Sequence, residues 1–184
     1  MRMDADARNQ ERTAVPTSSL WGPYSRAALI VAGLTVAADQ AHKWWMLNVY
    51  GIASKGRVAV TSYLDLVYVK NIGISYSFFN QESFAGQLAL AAFAALASLA
   101  LWVWVARGAT GKLMAISLGL IIGGATGNAI DRLVLGGVAD FFSAHAYGFY
   151  WYVFNIADVA IVAGVAGLLY DSFKPSRNDA AKPL

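Results

Sequence analysis

The sequence has no cysteine and only two histidines, which removes several kinds of site at once. Without thiols, neither a disulfide framework nor a thiolate zinc site can form. His42 and His145 are distant in the chain and belong to no HExxH motif, so a histidine-bound metal is not expected. A GxSxG nucleophile elbow and a glycine-rich phosphate loop after a strand are also missing. We therefore expect no metal and no cofactor.

Charge is scarce as well, since 14% of the 184 residues are charged and 58% are hydrophobic, with a mean hydropathy of +0.48. A soluble domain of this size carries more charge on its surface, so the composition indicates a membrane protein. The net charge of +3 does not point to nucleic acid, because the basic residues are scattered and form no stripe. We expect no nucleic-acid partner.

Four long apolar segments are present, at residues 26–47, 84–106, 113–130 and 149–170. At about 1.5 Å per residue the second segment reaches about 35 Å, enough to cross a hydrocarbon core of about 30 Å. The predicted fold is an α-helical integral membrane protein, with a four-transmembrane-helix bundle at residues 26–172. The polar residues 1–25 are expected to form a flexible cytoplasmic tail, and residues 173–184 a second cytoplasmic tail.

The first apolar segment has an alternative interpretation. Arg26, the apolar run 27–38 and its small-residue ending also resemble a cleavable secretory signal. The apolar character resumes at residues 44–47, beyond the charged residues, and this favours a retained transmembrane helix.

The distribution of Lys and Arg predicts the orientation of the bundle. With a cytoplasmic N-terminus, nine basic residues lie on the inner side: Arg2, Arg8, Arg12, Arg26, Arg107, Lys112, Lys174, Arg177 and Lys182. Five lie on the outer side: Lys43, Lys55, Arg57, Lys70 and Arg132. We therefore expect a multi-pass inner-membrane protein with both termini in the cytoplasm.

The long outer segment at residues 49–83 has a composition of its own. Residues 58–79 are rich in Val, Tyr, Phe, Ile and Ser with partial alternation, and Gly56 and Gly73 lie nearby. This pattern predicts a small extracytoplasmic β element between the first and second helices.

Polar residues recur near the predicted outer ends of the apolar segments. An ionisable side chain costs roughly 2.5–3.5 kcal/mol at mid-membrane, so such residues in apolar segments are expected to have a specific role. They are Asp39, Lys43, Asn128, Asp131, Arg132, Asp140, Asn155 and Asp158. A glycine row (Gly119, Gly123 and Gly127) is expected to pack the third helix against small residues of the fourth. One polar cluster just below the outer surface is the predicted result.

Several of these side chains have a structural interpretation. Asp39 and Lys43 are four residues apart, on one helical face, and are expected to form an ion pair. Arg132 is expected to pair with its neighbour Asp131. Outside the cluster, Asp65 and Glu82 are expected to be solvated loop charges, and His145 a surface residue.

Carboxylates are the reactive groups that remain in the cluster. When two are held close together, one keeps a proton while the other stays charged. Such a pair can hydrolyse a peptide bond, because the charged carboxylate accepts a proton from water while the protonated one hydrogen-bonds the scissile carbonyl. The residues alone leave open whether Asp140 or Asp131 is the partner of Asp158.

Five sequence blocks occur in order along the chain: DQAHK from Asp39, NIGISYSF from Asn71, GGATGNAIDR from Gly123, VADFF followed by His145, and FNIADVAI from Phe154. By these blocks the chain resembles the lipoprotein signal peptidases, the type II signal peptidases of bacteria, over about residues 26–172. One block departs from the family, which more usually reads NTGAAFS where this chain has NIGISYS. The departure bears on peptide preference, since Asn71 and Gly73 are kept.

The resemblance implies an aspartic endopeptidase with Asp140 and Asp158 as its catalytic pair. The residues implied to orient the pair or contact substrate are Asp39, Lys43, Asn71, Gly73, Asn128, Asp131, Arg132 and Asn155. It also implies cleavage of prolipoproteins just before a diacylglyceryl-modified cysteine, contact with membrane lipids, inhibition by the cyclic peptide globomycin, and no metal or cofactor.

Two other functions fit parts of the pattern. A small proton-coupled transporter also has carboxylates in its membrane helices, but transporters bind near mid-membrane and are often built from repeats, which are absent here. A non-enzymatic assembly factor would use the glycine-rich helix, but it leaves the two Asn-x-x-Asp pairs without a role. Cleavage of a diacylglyceryl-modified precursor by the purified protein separates the three hypotheses.

Overall fold

A computed structural model of the chain describes residues 20–73 and 83–173. Within these ranges the helices and strands are, in chain order, α1 (Ser25–Asn48), β1 (Val58–Thr61), β2 (Leu64–Asn71), α2 (Phe84–Gly108), α3 (Lys112–Leu135), β3 (Val138–Ala146), β4 (Phe149–Phe154) and α4 (Ile156–Ser172). The four predicted helices are confirmed as helices. Residues 1–19 and 174–184, which make up most of the two predicted tails, lie outside the described residues.

Two of the described helices, α2 and α3, are long and apolar enough to cross a membrane. The other two differ from them in composition or length. Helix α1 carries Asp39 and Lys43 in its second half, and α4 has only 17 residues. The structure therefore supports a membrane protein with four helices.

The fourth helix begins later than expected. Residues 149–154, predicted to be its first turns, form β4 instead, and the helix begins only after Asn155. The run Phe-Tyr-Trp-Tyr-Val-Phe is aromatic and β-branched, which suits a strand paired with β3. Asn155 then supplies the N-cap that starts the helix.

Helix α3 lies at the centre and packs against α1, α2 and α4. The glycine row faces α1: a Cβ added at Gly123 would lie 2.7 Å from the carbonyl oxygen of Ala32. The expectation that this row packs against the fourth helix is wrong for Gly119 and Gly123, because the contact with α4 uses mainly the next face around α3. There, a Cβ at Gly124 would lie 2.5 Å from the carbonyl oxygen of Ala157. Both faces of α3 therefore need glycine for close packing.

The strands form one antiparallel sheet in the order β1-β2-β3-β4. Strands β1 and β2 are the predicted β element, whereas β3 and β4 follow α3 and were not predicted; residues 74–79 lie outside the described residues. Asp140 is paired with Val69 of β2, so it lies on a strand and not in a connecting loop.

Strand β3 joins the sheet to the helices through alternate side chains. Phe141 is fully buried in an apolar cluster with Met46, Ile52 and Ala139. Because successive side chains of a strand point to opposite faces, Asp140 points away from this cluster. The packing of Phe141 therefore fixes the direction of the neighbouring carboxylate.

Candidate active site

Asp158 is held at the start of α4 by a capping box. Its backbone N–H donates to Asn155 Oδ1 at 3.0 Å, and its own Oδ2 accepts from the Asn155 backbone N–H at 3.1 Å. Such reciprocal bonds are typical of a helix N-terminus, where the helix dipole also favours a negative charge. The Asn-x-x-Asp spacing noted in the sequence thus has a local structural basis.

Asp140 reaches the same place from the sheet. Its side chain is almost completely buried. Oδ1 accepts a hydrogen bond from Asn155 Nδ2 at 2.6 Å, and Oδ2 accepts one from Asn71 Nδ2 at 3.2 Å. Residues from β2, β3 and the cap of α4 therefore meet at one carboxylate.

Asn128 of α3 connects this carboxylate pair to the first helix. Its Nδ2 donates to Asp158 Oδ1 at 2.9 Å. Its Oδ1 accepts from Asn155 Nδ2 at 3.1 Å and from Lys43 Nζ at 3.2 Å. Both the nitrogen and the oxygen of this side-chain amide therefore form hydrogen bonds, which fixes its orientation.

Asp140 and Asp158 line a common cavity of about 290 Å³. Its other polar lining residues are Asn71, Asn128, Arg132 and Tyr152, and its apolar walls are Leu90, Phe93, Ala94, Ala97, Ala125, Val138 and Ile161. Helix α2 contributes one wall and α4 another, with α3 between them. The cavity therefore combines apolar walls with two carboxylates.

The pKa of Asp140 is raised from its ordinary value of 3.8 to about 7. Burial is the main cause, and the nearby charge of Asp158 adds to it, while the amides of Asn155 and Asn71 oppose the shift. A substantial fraction of Asp140 is therefore protonated at neutral pH.

A second group of polar residues lies beside the pair, and we call it the brace (Asp39, Gln40, Lys43 and Asp131); all but the partly buried Gln40 are buried. Lys43 Nζ lies 2.8 Å from Asp39 Oδ2 and 2.7 Å from Asp131 Oδ2. The predicted ion pair between Asp39 and Lys43 is confirmed. Gln40, which was not predicted to be a site residue, donates to Asp131 Oδ1 at 2.9 Å. Its position next to Asp39 in a membrane helix was the available signal.

Asp131 belongs to the brace, not to the carboxylate pair. Besides Lys43 and Gln40, it accepts from the backbone N–H of Ala139 at 3.0 Å, and it does not line the cavity. The expectation that Arg132 neutralises it is wrong. Successive helical residues point in different directions, and Arg132 donates to the backbone carbonyls of Asn128 and Gly73 instead.

Asp39 also ties the first helix to the fourth. Its Oδ1 accepts from the backbone N–H of Ala157 at 3.0 Å. This N–H belongs to the first turn of α4, where backbone donors have no partner within the helix. The brace therefore supports the helix end that carries Asp158.

The prediction that Asp65 is a solvated charge is wrong. Its side chain is buried within the sheet, with Arg57 Nη1 at 3.0 Å and His145 Nε2 at 3.3 Å. The hydrogen bond from Arg57 is the main reason why the pKa of Asp65 is lowered. His145 is only partly exposed and stacks on Tyr150. Glu82 lies outside the described residues.

The chain is similar in sequence to a known family along most of its length. The family model described as signal peptidase (SPase) II matches residues 31–174. A lipoprotein signal peptidase of Methylocella silvestris is 51% identical over 148 residues, covering 80% of this chain and 86% of that protein. One of Rhodopseudomonas palustris is 52% identical over 151 residues, covering 80% and 92%.

Solved structures agree with the fold. A bacterial membrane enzyme determined by the in meso method at 1.9 Å resolution superposes with a TM-score of 0.68 at 23% identity, covering 81% of this chain and 94% of that one. Together with the match to the family model, these relatives show that the chain belongs to the signal peptidase II family, whose members are bacterial membrane peptidases that process lipoproteins.

Proposed function

We propose that the chain is an aspartic endopeptidase that removes signal peptides from bacterial prolipoproteins, with Asp140 and Asp158 as its catalytic pair. Family membership supports the peptidase activity and the substrate class. The observation that supports the pair is that one residue, Asn155, binds both carboxylates: its Nδ2 lies 2.6 Å from Asp140 Oδ1, and its backbone nitrogen 3.1 Å from Asp158 Oδ2.

The two carboxylates have different tasks in this proposal. Asp140, whose pKa is raised to about 7, is the neutral acid that donates a hydrogen bond to the scissile carbonyl oxygen. Asp158 is the charged base, because it lies in the first turn of α4, where the helix dipole favours a negative charge. It takes a proton from a water molecule as the water oxygen attacks the carbonyl carbon. Proton transfer to the departing amine then completes the cleavage.

The other predicted site residues have positioning roles. Asn155 and Asn128 hold the two carboxylates, and Asn71 holds Asp140 from the opposite side. Gly73 and Arg132 are linked to each other by a hydrogen bond at the cavity edge. Asp39, Lys43 and Asp131 act through the brace, which supports the end of α4. No step needs a metal or a cofactor.

All four helices cross the inner membrane in this proposal, with both termini in the cytoplasm and the sheet at the outer surface. The charges of α1 do not prevent this, because Asp39 and Lys43 are buried and paired while Leu29, Ile30 and Leu34 are exposed. Residues 26–172 form the membrane peptidase domain, and residues 1–25 and 173–184 are cytoplasmic tails. Reporter fusions at the two termini test this topology.

The substrate enters from the outer leaflet. Its diacylglyceryl chains stay in the lipid, while the peptide occupies the cavity between α2 and α4, whose walls include Leu90, Phe93 and Ile161. The peptide bond just before the modified cysteine then lies beside Asp140 and Asp158. Globomycin blocks the same cavity.

The test uses detergent-purified protein and a diacylglyceryl-modified prolipoprotein. We expect a cleavage product that begins with the modified cysteine, formed in the presence of a chelator and prevented by globomycin. Asp140→Asn and Asp158→Asn should each abolish the product, whereas Asp131→Asn should retain cleavage. Full cleavage by Asp140→Asn would contradict the assignment of the pair.

A further inference from the structure

Gln87 is a buried polar residue in α2, one of the two described helices that are long and apolar enough to cross a membrane. It lies near the beginning of α2, and only 1% of its surface is exposed. Its Nε2 donates a hydrogen bond of 2.7 Å to the backbone carbonyl oxygen of Ile72. The side chain therefore connects a membrane helix to the chain that leaves β2.

The carbonyl groups that follow β2 depend on side-chain donors. The pairing of β2 with β3 ends at Asn71 and Val138, so Ile72 and Gly73 lie beyond the ladder. Gln87 binds the carbonyl of Ile72, and Arg132 Nη2 binds that of Gly73 at 2.9 Å. A buried carbonyl without a donor is costly, so both bonds stabilise one path of the chain.

This path decides where the Asn71 side chain lies. Asn71 Oδ1 accepts from the backbone N–H of Gly73 at 3.0 Å, which leaves its Nδ2 to donate to Asp140 Oδ2. Ile72 is the residue between them. A shift of the Ile72 carbonyl would therefore move both ends of the Asn71 amide.

We propose that Gln87 is a positioning residue, which holds the Ile72 carbonyl and thereby sets the Asn71 amide against Asp140. The inference rests on the proposed function, because it takes Asp140 as one of the catalytic pair. Its role is distinct from that of the brace, which supports the pair from α1 and reaches Asp158 and not Asn71.

Hydrogen exchange tests the positioning without reference to activity. Gln87→Met removes the donor at similar side-chain length. The matched control is Ser98→Ala in the same helix, because Ser98 Oγ is buried and has no hydrogen-bond partner among the described residues. We expect faster exchange in peptides that cover residues 64–73 in Gln87→Met, and unchanged exchange in Ser98→Ala. Unchanged exchange in both variants would overturn the proposal.

A kinetic double-mutant cycle tests whether Gln87 acts through Asn71. Misplacement of an orienting group by about 1 Å can cost up to about a hundredfold in rate, and we expect a fall in kcat of about tenfold for Gln87→Met. Combined with Asn71→Ala, Gln87→Met should add little further loss. An equal fold-loss in both backgrounds would show that Gln87 acts independently, and would overturn the inference.

The two tests separate this inference from the proposed function. If Asp140→Asn retains full cleavage, the catalytic assignment fails, whereas the exchange result still reports whether Gln87 holds the segment. If Asp140→Asn is inactive and Gln87→Met exchanges faster at unchanged kcat, the catalytic assignment stands and the positioning role is overturned.

Discussion

Two pairs of aspartates lie side by side in this protein, and their surroundings differ. In the brace, Lys43 lies between Asp39 and Asp131 and provides a positive charge within 2.8 Å of each. Asp140 and Asp158 have amide and backbone N–H donors, and neither forms an ion pair within the described part of the chain. They also line a cavity, whereas the brace aspartates do not.

The comparison shows how one residue type serves two purposes. A carboxylate that is paired with a buried cation and bound by further donors holds helices together. A carboxylate with neutral donors, a second carboxylate nearby and access to a cavity can exchange a proton. Whether an aspartate supports the fold or takes part in catalysis therefore depends on the charge of its neighbours and on its access to a cavity.

The largest expected effect is on activity. Asp158→Asn keeps the size of the side chain but removes the base, and we expect kcat to fall by about 10³-fold, within the range that general acid–base groups contribute. Quantified cleavage of the modified precursor measures this loss. Thermal unfolding should remain close to that of the wild type, so a collapse in stability would break the distinction between the two pairs.

Lys43→Met should have the opposite profile. It leaves two buried carboxylates without their cation, and we expect a loss of about 3–5 kcal/mol in the free energy of unfolding. Unfolding in detergent measures the loss. The double variant Lys43→Met with Asp131→Asn should recover part of it, because one uncompensated charge is removed. A Lys43→Met protein as stable as the wild type would show that the brace is not a support.

A smaller effect on stability is expected where Gly127 of α3 lies against Asp39 of the brace. A Cβ added at Gly127 would lie 2.6 Å from Asp39 Oδ2, so Gly127→Ala should destabilise the protein by about 1–3 kcal/mol through overpacking. The control is Gly33→Ala on α1, where no atom lies within 4 Å of the added Cβ. Equal stability of the two variants would argue against tight packing at the brace.

The smallest effect concerns pH. Folding favours protonated Asp140, so its contribution to stability is present at low pH and is lost as the pH rises from 3.8 through about 7. Cleavage should decline as the pH rises through about 7, the raised pKa of Asp140, because the folded enzyme then loses the protonated form. Asn71→Ala removes a hydrogen-bond donor that favours ionised Asp140, so the decline in cleavage should move to higher pH. A decline that moves to lower pH would contradict this role of Asn71.

Features that depend on neighbours along the chain could be predicted from the sequence. The four helices follow from long apolar runs, and the contact of Asp39 with Lys43 follows from their spacing of four residues on one helix. Contacts between residues one turn apart have the same geometry in any helix, so residue order is sufficient to predict them. The cap formed by Asn155 and Asp158 is equally local but was not predicted, because the fourth helix was expected to begin at residue 149.

Long-range partners could not be predicted in this way. Strand β4 was taken for helix because short apolar runs are ambiguous in period, and its pairing with β3 decides between the two. The partner of Asp131 is Lys43, from a different helix and not the adjacent Arg132. Gln87, in turn, gains a role only because the chain after β2 passes over α2.

The sequence by itself determined a membrane protein with four helices, the ion pair of Asp39 with Lys43, and, through its five blocks, the family to which the chain belongs. Only the tertiary structure decided which carboxylates receive a cation and which face a cavity. The reason is physical: charge compensation and access to solvent are properties of the space around a side chain, and that space is assembled from segments far apart in the chain.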